Sequence, residues 1–282
     1  MSDHIIYDEK LETKITGLIN VGSTCYFNAM IQSLMSCTSL TKIMYDKKDN
    51  PSNNSLIKYS PNNQLTDAYT SLLLNPTPQI RPLWDAFLFM LHEQKITSLD
   101  SGQQDASEGL LLFIDMLHEQ WIDRLFEHKH DIITTCNSCN YKIRSDDNSY
   151  IVEIYIEELQ SKTIQEYIMR QVTTLSDYNC HKCKEHTTAI QKRSLAVLPE
   201  ILIIQFKKYD SKWNCVFPFI MVLDKYKYKL IAQVNHLGSA SSGHYNAIIA
   251  RANNTFTIDD MNIYSSSFAC TDDTYLLFYH IY

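Results

Sequence analysis

Cysteine is the residue type through which this sequence can do the most chemistry. Eight cysteines stand at positions 25, 37, 136, 139, 180, 183, 215 and 270, and four of them form two pairs of identical spacing, Cys136-Asn-Ser-Cys139 and Cys180-His-Lys-Cys183. Each CxxC turn can present two thiolates about 3.5 to 4 Å apart, and two such turns complete a closed tetrahedral zinc site with no open position for water. A structural zinc held by Cys136, Cys139, Cys180 and Cys183 is therefore expected. Two redox pairs or two disulfides are the alternatives, and His181 and His186 adjoin the second pair as substitute ligands. The segment between the pairs contains the strand-like stretch 150–157, so the site is expected to clip two ends of an extended hairpin too thin to hold a core.

Cys25 has a different setting. In Gly17-Leu-Ile-Asn20-Val-Gly22-Ser-Thr-Cys25-Tyr-Phe-Asn28 it stands where a glycine-bearing turn meets the start of an amphipathic helix. N–H groups at a helix start favour the thiolate, so a lowered thiol pKa is expected and Cys25 is a candidate nucleophile, with a buried structural cysteine as the alternative. A matching base is His244, in the small-residue loop Gly238-Ser-Ala-Ser-Ser-Gly243-His244-Tyr245 that runs into a strand. Fifteen residues on, Ile258-Asp259-Asp260 ends the next strand of a hairpin, which can return a carboxylate beside His244 to orient it.

The elements that must position these groups change character along the chain. Phe27, Met30, Ile31, Leu34 and Met35 lie on one face of a helix over 25–37, and Leu83, Ala86, Phe87, Met90 and Leu91 repeat the pattern over 82–92. A third helix is expected after Ser101, capped through Gln104, with Leu110, Phe113, Ile114, Leu117 and Trp121 as its core stripe. Residues 46–64, rich in Asn, Ser, Pro and Lys, read as a long exposed loop. The second half is strand-like at 152–157, 201–206, 225–234, 245–250 and 275–282. Helices first and strands later argue for an α+β architecture, a helical lobe beside an antiparallel sheet with a cleft between them.

Composition narrows the function classes. With 282 residues, 45% hydrophobic, and only 6 Gly and 7 Pro, this is a globular chain able to bury a core without disulfides. A net charge of -7 offers no basic surplus for phosphates, so nucleic acid is not an expected partner. The start MSDHIIYDEK lacks a basic segment leading into an apolar one, and no apolar run approaches the roughly 18 residues of a membrane span. A soluble intracellular protein of cytoplasm or nucleus, with no membrane partner, is expected.

Taken together, the motifs resemble the ubiquitin-specific protease family of cysteine deubiquitinases, from about Ile15 to Tyr279. GLINVGSTCYFNAMIQSL is similar to the family's cysteine box, SGQQDASEGLLLFIDMLHE to its second characteristic helix, and LPEILIIQFKKY to its core strand. FPFIMVLDKY is similar to the following segment, VNHLGSASSGHYNAIIAR with FTIDD to the histidine box, and the two CxxC pairs sit where the family carries a zinc ribbon. Six motifs in the right order make the resemblance specific.

The resemblance implies a papain-like right-hand fold: an N-terminal extension over 1–14, then one catalytic domain over 15–282 with a helical thumb at about 15–128, zinc-ribbon fingers at about 129–200 and a β-rich palm at about 200–282. It implies hydrolysis of the isopeptide or peptide bond after the C-terminal glycine of ubiquitin, with Cys25 as nucleophile, His244 as base and then acid, and Asp259 orienting it. Asn20 would be the oxyanion donor and Asp260 the understudy of Asp259. Gln103, Asp105 and Glu108 match positions that meet the ubiquitin tail, and Tyr245 a wall of the channel that admits it. The zinc would be structural, with no catalytic cofactor. The other readings are a protease for another ubiquitin-like modifier and a catalytically weak ubiquitin-binding scaffold. Against the family pattern, Ser23, Ala29 and Lys208-Tyr209 replace frequent Asn, Ser and Arg-Phe, no Trp precedes the Asp259 strand, and the chain is short, with minimal finger and loop inserts.

Overall fold

In the computed structural model the described residues are 15–49, 64–96, 104–117, 120–159, 162–207, 216–239, 242–251 and 253–282. The N-terminal half is helical: α1 (Cys25–Met35), α2 (Thr38–Asp49), α3 (Gln64–Leu74), α4 (Arg81–Glu93), α5 (Ala106–Met116) and α6 (Gln120–Phe126). Every residue of α1 is buried, because α5 covers one side of it and the strand that carries His244 the other. Its aromatic side chains lock it there. Phe27 stacks on Phe87 of α4 at a centroid distance of 5.1 Å and meets Trp84 edge-on at 5.0 Å and Phe113 of α5 at 6.0 Å, contacts that add to the burial of large apolar area.

Three sequence expectations are corrected here. The 46–64 loop begins later than its composition suggests, since α2 runs to Asp49 and α3 starts at Gln64, while 50–63 lie outside the described residues. The third helix starts at Ala106 with Asp105, not Ser101, as its cap, and Ser101 lies outside the described residues. Trp121 is buried but belongs to α6, since α5 stops at Met116.

The strands are β1 (His128–Cys136), β2 (Lys142–Ser149), β3 (Ile151–Tyr155), β4 (Arg170–Asn179), β5 (His186–Val197), β6 (Ile201–Lys207), β7 (Ile220–Leu223), β8 (Tyr226–Ser239), β9 (Ser242–Arg251), β10 (Asn254–Asp259), β11 (Asn262–Ser265) and β12 (Thr274–Ile281). Two short helices, α7 (Ile156–Leu159) and α8 (Ile164–Met169), stand between β3 and β4. They form an eight-stranded sheet in the order β11-β10-β9-β8-β12-β6-β3, with β7 paired on β8, and a four-stranded sheet in the order β2-β1-β5-β4. The pairings are antiparallel except β3 with β6, which is parallel.

The large sheet is buried on both faces at β6, between β12 and β3. In β6, Ile201 and Ile203 pack into the core shared with the helices, while Leu202, Ile204 and Phe206 pack into a second core with Tyr167, Ile168, Met221, Tyr228 and Tyr279. Burial on both faces requires a continuous apolar run instead of an alternating one. The small sheet is the opposite case, since β2 and β4 have no fully buried residue along their length. Residues 151–155, read from sequence as part of the cysteine hairpin, instead leave it and join the large sheet beside β6. The small sheet is therefore two hairpins, β1–β2 and β4–β5, laid edge to edge. Among the described residues no helix is long and apolar enough to cross a membrane.

Candidate active site

Cys25 is the first residue of α1 and is 7% exposed. The segment before it is fixed against the β10–β11 turn: the Leu18 N–H donates to the Asp260 carbonyl at 2.9 Å, and the Gln32 side chain donates to the Thr16 carbonyl at 2.7 Å. Gly17 lies so close to this turn that a Cβ there would stand 2.4 Å from the Met261 carbonyl oxygen. Both partners are backbone, so neither can yield without moving the turn or the segment. Gly17→Ala is expected to cost about 1 to 3 kcal/mol of stability, the usual penalty of overpacking, read as a lower urea midpoint at unchanged slope.

Asn20 and Asp260 are partners. The Asn20 amide Nδ2 donates to Asp260 Oδ2 at 2.9 Å, while its Oδ1 accepts from the Gly22 N–H at 3.1 Å and from the Thr24 N–H and hydroxyl at 3.2 and 3.1 Å. The other Asp260 oxygen accepts from Asn28 Nδ2 at 2.7 Å, and Asn28 also reaches the Leu18 carbonyl at 3.3 Å. One carboxylate thus ties the turn to the cysteine loop and to the first turn of α1. Asp260 has φ +48°, a left-handed conformation stabilised here by those two amides.

His244 and Asp259 lie on neighbouring antiparallel strands, and His244 Nε2 meets Asp259 Oδ1 at 2.5 Å. With Nε2 engaged, Nδ1 is the ring atom left for other work. The next residue brings the sulfur in, since the Tyr245 backbone N–H hydrogen-bonds Cys25. Cys25 thus lies beside the residue that follows His244, while His244, Asp259 and an Asp260 oxygen gather within 4.8 Å of one another and Asn20 is bonded to Asp260.

The thiol does not behave as its helix position suggests. Burial pushes the Cys25 pKa above its ordinary value; the Tyr245 N–H opposes this, the Asp260 carboxylate adds to it, and the N–H groups of Tyr26 and Cys25 oppose it less. Desolvating a thiolate costs more here than these donors return, which corrects the lowering expected from sequence. A raised pKa favours the thiol over the thiolate in the free chain, which gives a neighbouring base a proton to take. The rate of Cys25 alkylation by iodoacetamide is accordingly expected to keep rising above pH 8.5, the midpoint of an ordinary cysteine. A plateau below neutral pH, read by mass mapping, contradicts it.

Asp105 caps α5, accepting from the Ser107 and Glu108 N–H groups at 2.7 and 3.1 Å and from the Ser107 hydroxyl at 2.6 Å. Its second oxygen accepts from the Tyr275 hydroxyl at 2.5 Å. Burial pushes its carboxyl up, but the hydrogen bonds from Ser107 and Tyr275 and the two N–H groups outweigh burial and hold it below the usual carboxylate range. Glu108 is exposed one turn further along α5, and Gln103 lies outside the described residues. Tyr245 is buried, stacked on His236 at 4.4 Å and 5.9 Å from the Tyr275 ring. Gln205 completes the group by donating to the Tyr275 and Ser107 hydroxyls at 2.6 and 2.7 Å. Asn28, Gln205, Tyr275 and His236 were not singled out from sequence. The first two carried a signal, each a lone amide inside an apolar run that needs a buried partner.

The four cysteines close the tip of the small sheet. In each CxxC turn the first cysteine's carbonyl accepts from the residue four further on, at 3.0 Å from Asn140 and 2.9 Å from Lys184, and both of those residues have φ near +60°. Across the turns, Cys136 and Cys183 Sγ are 3.9 Å apart, Cys139 and Cys180 Sγ 3.7 Å, and all four lie within 4.8 Å of one another. Four sulfurs about 2.3 Å from a tetrahedral ion are about 3.8 Å apart, so the donor set and spacing are compatible with structural zinc. Cys37 is buried in the helical core and Cys270 is exposed.

A helical lobe, an eight-stranded sheet and a four-cysteine sheet have the thumb, palm and fingers arrangement of the papain-like, ubiquitin-specific protease fold. A chain of the SAGA DUB module Ubp8/Sgf11/Sus1/Sgf73 bound to monoubiquitin shares this fold, with a TM-score of 0.75 at 20% identity over 99% of this chain and 72% of that one. The same module bound to ubiquitin aldehyde gives 0.73 at 20% identity over 98% and 71%. The family model "Ubiquitin carboxyl-terminal hydrolase" matches residues 16–279, and the chain belongs to that family. Similar relatives include ubiquitin carboxyl-terminal hydrolase 36 of Drosophila grimshawi, 23% identical over 94% of this chain and 25% of that protein. Ubiquitin carboxyl-terminal hydrolase 26 of Arabidopsis thaliana is 26% identical over 84% and 25%. The chain spans about a quarter of the length of these two.

Proposed function

We infer that this chain is a thiol-dependent deubiquitinase, cleaving the isopeptide or peptide bond after the C-terminal glycine of ubiquitin. The observation that carries this reading is that the Cys25 sulfur accepts from the Tyr245 N–H, one residue along β9 from the His244 ring that Asp259 holds at 2.5 Å. His244, through Nδ1, takes the Cys25 proton as the sulfur attacks the glycine carbonyl, then gives it to the leaving amine, and finally deprotonates the water that hydrolyses the thioester. Asp259 fixes the tautomer and orientation of the ring. Asn20, aimed by Asp260, and the Cys25 N–H stabilise the oxyanion. Asp105 and Glu108 at the start of α5 supply negative charge for a basic tail, and Tyr245 with Tyr275 lines the path to the sulfur. The four-cysteine site holds zinc as a structural ion and takes no part in the reaction.

Hydrolysis of fluorogenic C-terminal amides of ubiquitin and of other ubiquitin-like modifiers tests this reading. Turnover of the ubiquitin substrate is expected to exceed the others by at least about a hundredfold, the discrimination a well-built site achieves. Preference for another modifier, or tight ubiquitin binding without turnover, contradicts it.

A further inference from the structure

The bond being cut has a second side, the amine that leaves, and the site's own geometry locates it. His244 must deliver its proton to the departing nitrogen, so that nitrogen passes within hydrogen-bond reach of the ring. Nε2 is engaged by Asp259, which leaves Nδ1 for the transfer. The sheet order separates the neighbours of β9 into two flanks: β8 and then β12, bearing Tyr275, on one, and the β10–β11 hairpin on the other. Tyr275 is bonded to Asp105 and adjoins Tyr245, and with these two meeting the tail as proposed above, the β12 flank is the acyl side. The β10–β11 turn is left for the amine.

That turn carries an exposed apolar side chain on a rigid backbone. Asp259 pairs with Asn262, so Asp260 and Met261 alone make the turn. It is held by the Leu18 N–H on the Asp260 carbonyl, by Asn20 and Asn28 on the Asp260 carboxylate, and by Gly17 against the Met261 backbone. Asp260 oxygen lies within 4.8 Å of His244, and Met261, the next residue, is 48% exposed. An exposed thioether on an anchored turn, one residue from a carboxylate near His244, offers a surface for an unbranched hydrocarbon chain, which methionine packs well against. The leaving group of an isopeptide offers that chain, the four-methylene stem of a lysine.

We propose that Met261 is a specificity-determining residue of the leaving-group side, a wall on which the stem of the modified lysine rests as its amine meets His244. This rests on the deubiquitinase reading above. The test compares kcat/KM for two substrates of the full chain: ubiquitin joined to the ε-amine of a lysine peptide, and ubiquitin C-terminal ethyl ester, whose leaving group has no such stem. In Met261→Ser the isopeptide-to-ester ratio is expected to fall about tenfold, the effect of losing one or two methylenes of apolar contact, and Met261→Leu is expected to restore it. Equal losses on both substrates mean a structural role and overturn the proposal, as does an unchanged ratio. A wild-type chain that cleaves neither substrate overturns the underlying reading, and the proposal with it.

Discussion

Cys25→Ala is expected to lower kcat/KM on a C-terminal ubiquitin amide by at least about 10^4-fold, with His244→Ala causing a loss of the same order. The two act as one device, so the double variant should be scarcely worse than either single one. Asp259 acts only through the imidazole, and Asp259→Asn is expected to fall between these and the wild type. Asp260 separates from it experimentally: its carboxylate holds Asn20 and Asn28, at 2.9 and 2.7 Å, and not the histidine. Asp260→Ala and Asn20→Ala should therefore resemble each other, with losses on the order of 10^2 to 10^3, the range for one oxyanion donor. Stopped-flow assays on the six variants distinguish these orders of magnitude. Thermal unfolding near the wild-type temperature for Cys25→Ala checks that the loss is chemical.

The second large effect is expected at the four-cysteine tip. The small sheet has no apolar core of its own, since β2 and β4 lack fully buried residues. Its two hairpins meet edge to edge along β1 and β5, and at their far ends Cys136, Cys139, Cys180 and Cys183 converge beside the Asn137–Thr188 and Ser138–Thr187 hydrogen bonds. Binding energies for structural zinc in small domains are about 10 to 16 kcal/mol, as large as the whole stability of an ordinary domain, about 5 to 15 kcal/mol. One zinc per wild-type chain is expected by elemental analysis, and under about 0.1 in Cys180→Ser. Limited proteolysis should then cut first within 128–149 or 170–197, the residues of that sheet. Binding of ubiquitin should weaken while Cys25 in the remaining core still alkylates. Full zinc content in the variant, or an intact sheet without zinc, contradicts this.

The parts of the molecule legible in sequence are those where one residue type can satisfy one local demand. CxxC spacing is such a case, because ligand chemistry fixes it whatever surrounds it. The α1 and α4 stripes are another, since a helix beside a core must bury i, i+3, i+4 and i+7. The α3 stripe, Leu65, Tyr69, Leu72 and Leu73, obeyed the same rule, but an adjoining run of Asn, Ser and Pro obscured it.

What was not legible depended on long-range pairing. The departure of β3 from the cysteine hairpins is set by burial against β6, some fifty residues on. The raised Cys25 thiol follows from how completely α1 is enclosed, which a helix-start argument does not contain. The partnership of Asp260 with Asn20 and Asn28 joins residues 240 and 232 positions apart.

The most direct test is reaction of the chain with ubiquitin bearing a C-terminal electrophile, followed by peptide mapping of the product. A single adduct on the buried Cys25 is predicted, abolished in Cys25→Ala and slowed in His244→Ala, while the exposed Cys270 stays unmodified. An adduct on Cys270 or on a cysteine of the four-sulfur site, or labelling of Cys25 that is indifferent to His244, would contradict the account.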